Sequence, residues 1–414
     1  MRILIVHNEY KHPGGEDAAV ANDIALLTAH GHEVALYTRH NEDLSEFYGP
    51  QAVYLPRVTE FNNETYADIS KLLTEEHFDL VHVHNTLHLI TPAVYYAAVE
   101  AQVPIVQTLH NYRFLCPAGT CYRKGKGVCE DCMQKGMSEA LFHRCYRGSL
   151  AETSILVKNM RTHLKSGIYE NLSYICLTDF MKEKFISVFP DFSGNVYVKA
   201  NVSLADAKSE TPDPKGDIAS LLSEKERFYL YAGRLGEEKG IRVLLAAWLS
   251  YVKVCEAQGK EAAKLYICGD GILRSYLEKK IAVAGITEIR LMGQVSEETV
   301  QTYMKRARAL VVPSLWYEGY PMVIAESEKV GTPAIVSALG SMKELTKDGV
   351  NGFTFPAGNE KALVDRLLRM DKLYDEGDAE AMVGHVLFSA GEHTGEKNYE
   401  RLIDIYEDVL QKYR

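Results

Sequence analysis

Short apolar runs of five to seven residues recur along the chain, separated by stretches in which apolar positions return every three or four residues. In the first half these runs are RILIVH (2–7), VALYT (34–38), LVHVH (80–84), PIVQTLH (104–110) and SYICLT (173–178). Near-continuous aliphatic and β-branched residues are the pattern of strands covered on both faces. Between them lie helical patterns such as EDAAVANDIALLTAHG, where Val20, Ile24 and Leu27 share a face and Gly31 stands just past the end. Strands alternating with helices predict a parallel sheet with helices on both sides.

After NVYVKANVS the pattern breaks into ADAKSETPDPKGD, a linker near 203–217 rich in Pro, Asp, Lys and Ser. A second series then begins: FYLYAG (228–233), KLYICG (264–269), EIRLMG (288–293), ALVVPS (309–314) and PAIVS (333–337). The expected organisation is a first domain over 1–202 with a cysteine-rich loop at 111–147, a second over 203–390, and a terminal helix over 391–414. In that helix Tyr399, Leu402, Ile403, Tyr406, Leu410 and Tyr413 fall on one face. Such a face must be covered, either by the second domain or by crossing back onto the first; the crossing is the expectation taken.

Composition narrows the class. A chain of 414 residues exceeds one ordinary domain, and 46% apolar with 25% charged residues is that of a soluble globular protein. No apolar run approaches the ~18–20 residues of a membrane span, and MRILIVHNEY is too short and too early-charged for a signal peptide. A cytoplasmic protein is expected. A net charge of −10 argues against a nucleic-acid partner. Between Asn111 and Lys165, however, ten Lys and Arg face four Asp and Glu, a local excess of six positive charges. That patch is either a solvated face or a contact for an anionic membrane surface, which would make the protein peripheral on the inner face of the cell membrane.

Candidate chemistry gathers after the strands. Gly14 and Gly15 separate the first strand from the first helix, where backbone can approach an anion at a helix start. The motif is not GxGxxG, and TRHNED after the second strand places no acid well for a ribose, which disfavours a dehydrogenase. In YAGRLGEEKG, Arg234 and Lys239 flank a glycine turn that starts at Gly233, a pattern suited to a diphosphate or to pairing with Glu237 and Glu238. Gly269 and Gly271 repeat the theme in ICGDGILR. In PSLWYEGYPMVIAESEKVG, Glu318 lies in a turn and Glu326 in an apolar helix, where an unpaired carboxylate is costly unless a ligand's vicinal hydroxyls or a lysine satisfy it.

Taken in order, PGGE (13–16), VHVHN (81–85), TLHNYRFLCPAGTCYRKGKGVCEDC (108–132), GRLGEEKG (233–240), GDG (269–271) and PSLWYEGYPMVIAESEKVGTPAI (313–335) resemble the family-4 retaining glycosyltransferases. The resemblance implies the GT-B fold: two tandem Rossmann-like doubly wound domains facing across a cleft. It implies a UDP- or GDP-type nucleotide-diphospho-sugar donor on the second domain and a glycan or lipid-linked acceptor on the first. Arg234 and Lys239 then resemble the pair that neutralises the diphosphate, Glu326 the acid on the ribose, and Glu318 the acid near the transferred sugar. Gly319, Tyr320 and Pro321 would bring backbone to sugar and phosphate, Gly14 and Gly15 would approach the diphosphate, and His110 would lie beside the sugar. Val295 matches a base-contacting backbone position. No DxD-type metal site is recognisable, and two fixed cations can replace a divalent ion, so transfer without a catalytic cofactor is expected. A non-catalytic nucleotide-sugar-binding scaffold, a nucleotide-sugar epimerase and a phosphorylase on a related fold are the alternatives; the joint presence of Arg234, Lys239, Glu318 and Glu326 argues against the scaffold.

Five of the eight cysteines fall within 116–145. In a cytosolic chain a disulfide is disfavoured, and Cys116-x12-Cys129-x2-Cys132-x12-Cys145 has the spacing of a structural zinc site. Cys121 is left spare and His143 is a substitute ligand; the bland reading is a set of reduced, buried thiols.

Overall fold

The computed structural model describes residues 1–10, 14–43, 55–202 and 218–413; the expected linker at 203–217 and Pro13 of the PGGE motif lie outside them. The chain divides into two compact units. The first comprises Met1–Cys121, Cys129–Ser209 and Thr394–Arg414, and the second Tyr122–Val128 and Glu210–His393.

The first unit is built on strands β1 (Arg2–Glu9), β2 (Glu33–His40), β3 (Leu80–Val83) and β4 (Ile105–Leu109). The two-residue strands β5 (Tyr122–Arg123) and β6 (Gly127–Val128) form an antiparallel hairpin, and β7 (Leu172–Cys176) and β8 (Val196–Val198) complete the sheet. Its order is β2-β1-β3-β4-β7-β8, all parallel. The five expected strands all form. β8 was hidden in NVYVKANVS, whose three-residue ladder is too short to stand out by pattern.

The terminal helix Gly395–Tyr413 packs on this unit. Leu402, Ile405, Tyr406 and Val409 enter one core with Ile3, Ile5, Val20, Leu27, Leu80, Val106 and Ile175. Burial of such side chains is worth about 2 kcal/mol each. The fully buried seam runs through Asn398, Leu402, Ile405, Tyr406 and Val409; Tyr399 and Ile403 of the expected face pack against the same core part-buried, and Tyr413 is 48% exposed. Polar and ring contacts anchor the start of the helix: Asn398 donates to the Ala200 carbonyl at 2.5 Å, and the Tyr399 ring stacks on His30 at 3.5 Å.

The second unit repeats the plan with β9 (Phe228–Ala232), β10 (Lys264–Cys268), β11 (Ile289–Gly293), β12 (Ala309–Val312), β13 (Ala334–Ser337) and β14 (Gly352–Phe355). Its order is β11-β10-β9-β12-β13-β14, again parallel throughout. β14 lies in GFTF, where a leading glycine and a short run hide the strand. Apolar residues fill both faces, with Trp248, Tyr229 and Phe355 on one and Met304, Ile324 and Met342 on the other. In each sheet the chain moves outward in one direction, returns, and moves outward in the other. The reversal falls between β1 and β3 in the first unit and between β9 and β12 in the second. Loops diverge at such a point, so the carboxyl ends of those strands leave a crevice.

Candidate active site

In the second unit the loops leaving β9, β10 and β12 are joined by backbone bonds. Leu235 N–H donates to the Asp270 carbonyl at 2.9 Å, Leu273 N–H to Leu235 at 3.1 Å, and Leu315 N–H to Glu238 at 2.7 Å. Glycine makes this approach possible. A Cβ on Gly269 (φ +132°) would overlap the Gly233 carbonyl, and one on Gly240 (φ +69°) would overlap the Pro313 carbonyl.

That closeness brings Lys239 and Glu318 together across the switch point. Lys239 Nζ donates to both Glu318 oxygens, at 2.9 and 3.1 Å, and Ser314 Oγ donates to Oε1 at 2.6 Å. Glu318 is buried, 7% exposed, whereas a quarter of the Lys239 side chain remains accessible. Burial pushes the Glu318 carboxyl up, but the Lys239 charge and the hydrogen bonds outweigh it and hold it below the ordinary carboxylate value. The ammonium also lies 5.1 Å from the Trp316 ring centroid. Arg234 stands apart: 64% exposed, its guanidinium reaches Glu238 at 2.5 Å. Of the two cations expected to act together, Lys239 is fixed in the loop cluster and Arg234 is held at its rim by a neighbour on its own turn.

Two helices begin at these loops without a side-chain cap, Ile241–Ala257 after Gly240 and Met322–Lys329 after Pro321. Apart from Ile324 N–H, which donates to the Pro321 carbonyl at 2.9 Å, their first-turn N–H groups can meet an anion. Gly319 accepts from Ser341 Oγ at 2.9 Å, and the Tyr320 hydroxyl is buried without a hydrogen-bond partner among the described residues. Val295 packs its side chain against the Cys268–Met304 core. Glu326 is half-buried and has neither hydrogen bond nor ion pair among the described residues. Burial, helped by the nearby Glu297 charge, pushes its carboxyl up to about 7. Glu328, two residues on and not singled out by pattern, by contrast accepts from Asn351 Nδ2 at 3.1 Å.

In the first unit the crevice is lined by histidines. His84 Nδ1 and His110 Nε2 lie 2.9 Å apart, beyond the ends of β3 and β4. Burial drops His110 to about 3 and His84 well below the ordinary imidazole value, so both are neutral at physiological pH. Gly14 N–H donates to Asp17 Oδ2 at 2.7 Å, and Asp17 Oδ1 meets His7 Nε2 at 3.0 Å, which fixes the start of helix Gly15–Ala29 at the end of β1.

In the cysteine-rich loop the Cys121 thiol donates a hydrogen bond to the Cys116 sulfur, and Cys132 interacts electrostatically with Cys116, Cys145 and Cys129. Cys121 N-terminal to the hairpin and Cys129 after it are joined by the Cys129 N–H to Cys121 carbonyl bond at 2.8 Å. His143 keeps company with Asp131 and Glu139. Of the basic residues on helix Leu150–Lys165, Lys158 is neutralised by Glu60 at 2.6 Å, and Arg161 and Lys165 are exposed.

Two parallel α/β units, each with its polar residues at the strand reversal, are the architecture of GT-B glycosyltransferases. Residues 14–189 match the profile of Glycosyltransferase Family 4 and residues 215–383 that of Glycosyl transferases group 1, and the chain belongs to this family of enzymes. An uncharacterised glycosyltransferase of Methanocaldococcus jannaschii is 25% identical over 362 residues, 83% of this chain and 82% of that protein. The phosphatidyl-myo-inositol mannosyltransferase of Mycolicibacterium smegmatis is 22% identical over 380 residues, 89% and 84% of the two chains. Among solved structures, Anabaena HepE in complex with UDP superposes with a TM-score of 0.64 at 16% identity, covering 99% of this chain and 100% of that one.

Proposed function

We propose that this protein moves a hexose-type sugar, with retention of configuration and without a catalytic metal, from a UDP- or GDP-type sugar to a glycan or lipid-linked acceptor in surface polysaccharide or glycoconjugate synthesis. The observation that carries the reading is the Lys239–Glu318 pair at the β9/β12 reversal. Breaking the sugar–phosphate bond builds negative charge on the diphosphate. An ammonium held by a buried carboxylate, beside two uncapped helix starts, is a preorganised stabiliser of that charge. Arg234, exposed, can swing from Glu238 to add a second cation. Glu326 offers an unpaired acceptor to the ribose hydroxyls, and the Gly319–Pro321 turn offers backbone groups to the sugar.

Glu318 is spoken for by Lys239 and Ser314, which leaves it poorly suited to be a nucleophile. The reading therefore routes the acceptor hydroxyl to the same face as the leaving phosphate, whose oxygen takes the proton. HepE's UDP and the phosphatidyl-myo-inositol acceptor in the mycobacterial relative's name agree with the donor and acceptor classes. Exposed Arg161 and Lys165 support peripheral attachment to an anionic membrane. A structural zinc on Cys116, Cys129, Cys132 and Cys145 is part of the same reading, supported by the spacing of the four cysteines around a CxxC pair.

The test is Lys239→Ala. Transfer from a panel of nucleotide-sugars, screened first by thermal shift, should fall by several kcal/mol in transition-state free energy, about a thousandfold in kcat/KM. Undiminished turnover would remove the assignment.

A further inference from the structure

Four histidines of the first unit cluster around His84: His7 and His82, buried like it, and His110, part-buried. His82 has both ring nitrogens occupied, Nε2 at 2.7 Å from Thr108 Oγ1 and Nδ1 at 2.6 Å from the Tyr406 hydroxyl. His84 has one: Nδ1 meets His110 Nε2 at 2.9 Å, while Nε2 is buried with no partner among the described residues. The His84 ring lies 4.2 Å from that of His82 and 6.3 Å from that of His7. Asp23, the carboxylate grouped with His82 and His84, is engaged by Lys199 at 2.8 Å, so it is not free to draw a proton onto His84.

A neutral imidazole has one N–H and one lone pair. In the short His84–His110 contact one ring must donate. If His110 donated from Nε2, the proton of His84 would sit on its own Nε2, leaving a buried N–H with no acceptor. If His84 donates from Nδ1, only a lone pair is left over. Orphaned buried donors are the rarer defect, and the second arrangement is favoured.

We propose that His84 is a positioning residue that donates from Nδ1 to His110 Nε2 and so locks His110 in the Nδ1–H tautomer. His110 then presents a hydrogen-bond donor to the substrate and no basic nitrogen. This rests on the reading of His110 as the side chain beside the transferred sugar. It adds that the sugar must bring an oxygen there to accept the bond, and that no proton is taken by His110.

The test pairs His84→Leu with His84→Asn, whose amide nitrogen can stand where Nδ1 stood. Nitrogen-15 NMR of histidine-labelled full-length protein should show His110 protonated on Nδ1 in the native chain and in His84→Asn, and that preference should be lost in His84→Leu. With the donor the thermal-shift panel selects, kcat should fall about tenfold in His84→Leu with donor KM unchanged, the scale of one misdirected hydrogen bond, and His84→Asn should restore it. His110 protonated on Nε2 in the native protein overturns the proposal, as does a His84→Asn variant as impaired as His84→Leu. Full activity of His110→Ala would instead strike the role of His110, while the NMR result still decides the lock.

Discussion

Replacing Glu326 by Gln removes a charge and keeps the shape, and the structure sets the size of the effect. In the unfolded chain this carboxyl titrates near 4.5, and in the folded protein, where burial and Glu297 oppose its charge, at about 7. The folded state keeps the proton over an interval in which the unfolded state releases it. The contribution to stability is therefore complete below pH 4.5 and is lost as pH rises to about 7. A gap of about 2.5 in pKa costs the native enzyme about 3 kcal/mol at pH 8.5 and about 1 kcal/mol at pH 5.5. Gln avoids that cost at both. In a unit of this size, Glu326→Gln should raise Tm by about 6–12 °C at pH 8.5 and by about 3 °C at pH 5.5 in calorimetry without ligand. The same variant should lose most of the thermal shift given by the donor, because Gln cannot accept two hydroxyls as a carboxylate does. An equal gain at both pH values, or a loss at pH 8.5, would refute the reasoning.

Three further outcomes are expected. Protein purified without chelator should carry one zinc per chain, and Cys132→Ser should not; metal-free native protein would reject the site. Sedimentation with phosphatidylserine-containing vesicles should be lost on Arg161→Glu with Lys165→Glu, and binding unchanged by that reversal would remove the membrane contact. Gly240→Ala should destabilise the second unit by about 2 kcal/mol or more in urea unfolding, since its Cβ has no room beside the Pro313 carbonyl; wild-type stability there would contradict the packing of the β9 and β12 loops.

Most of the strands were legible because they are buried on both faces and therefore carry unbroken apolar runs. β8 and β14 were not, being short and, for β14, opened by a glycine. The residues of the β9 and β12 loops stood out by type, but the bond between Lys239 and Glu318 did not. They are 79 positions apart and meet only because β12 lies beside β9, a matter of strand order that local pattern does not encode. Pairing of Arg234 with Glu238 was visible as an i,i+4 spacing, and it is what forms. His82 and His84 could be read from VHVHN, whereas the coupling of His84 to His110 needed β3 and β4 to be neighbours. In the terminal helix the expected Tyr399, Leu402, Ile403 and Tyr406 meet the core, whereas Ile405 and Val409 were not on the face read and Tyr413 is exposed.

The return of the last helix to the first unit also governs how the chain is made. The cover for Ile3, Ile5 and Val20 is supplied by Leu402 to Val409, which leave the ribosome only after the second unit has been made. The second unit closes at His393, before that helix begins. Folding order thus runs against the order of synthesis: the later unit can close while the earlier one waits, its apolar face uncovered, for the helix that follows. A chain that lacks Leu402 to Val409 would keep its second unit and leave the core of the first one open, a form that chaperones and proteases would recognise before any substrate did.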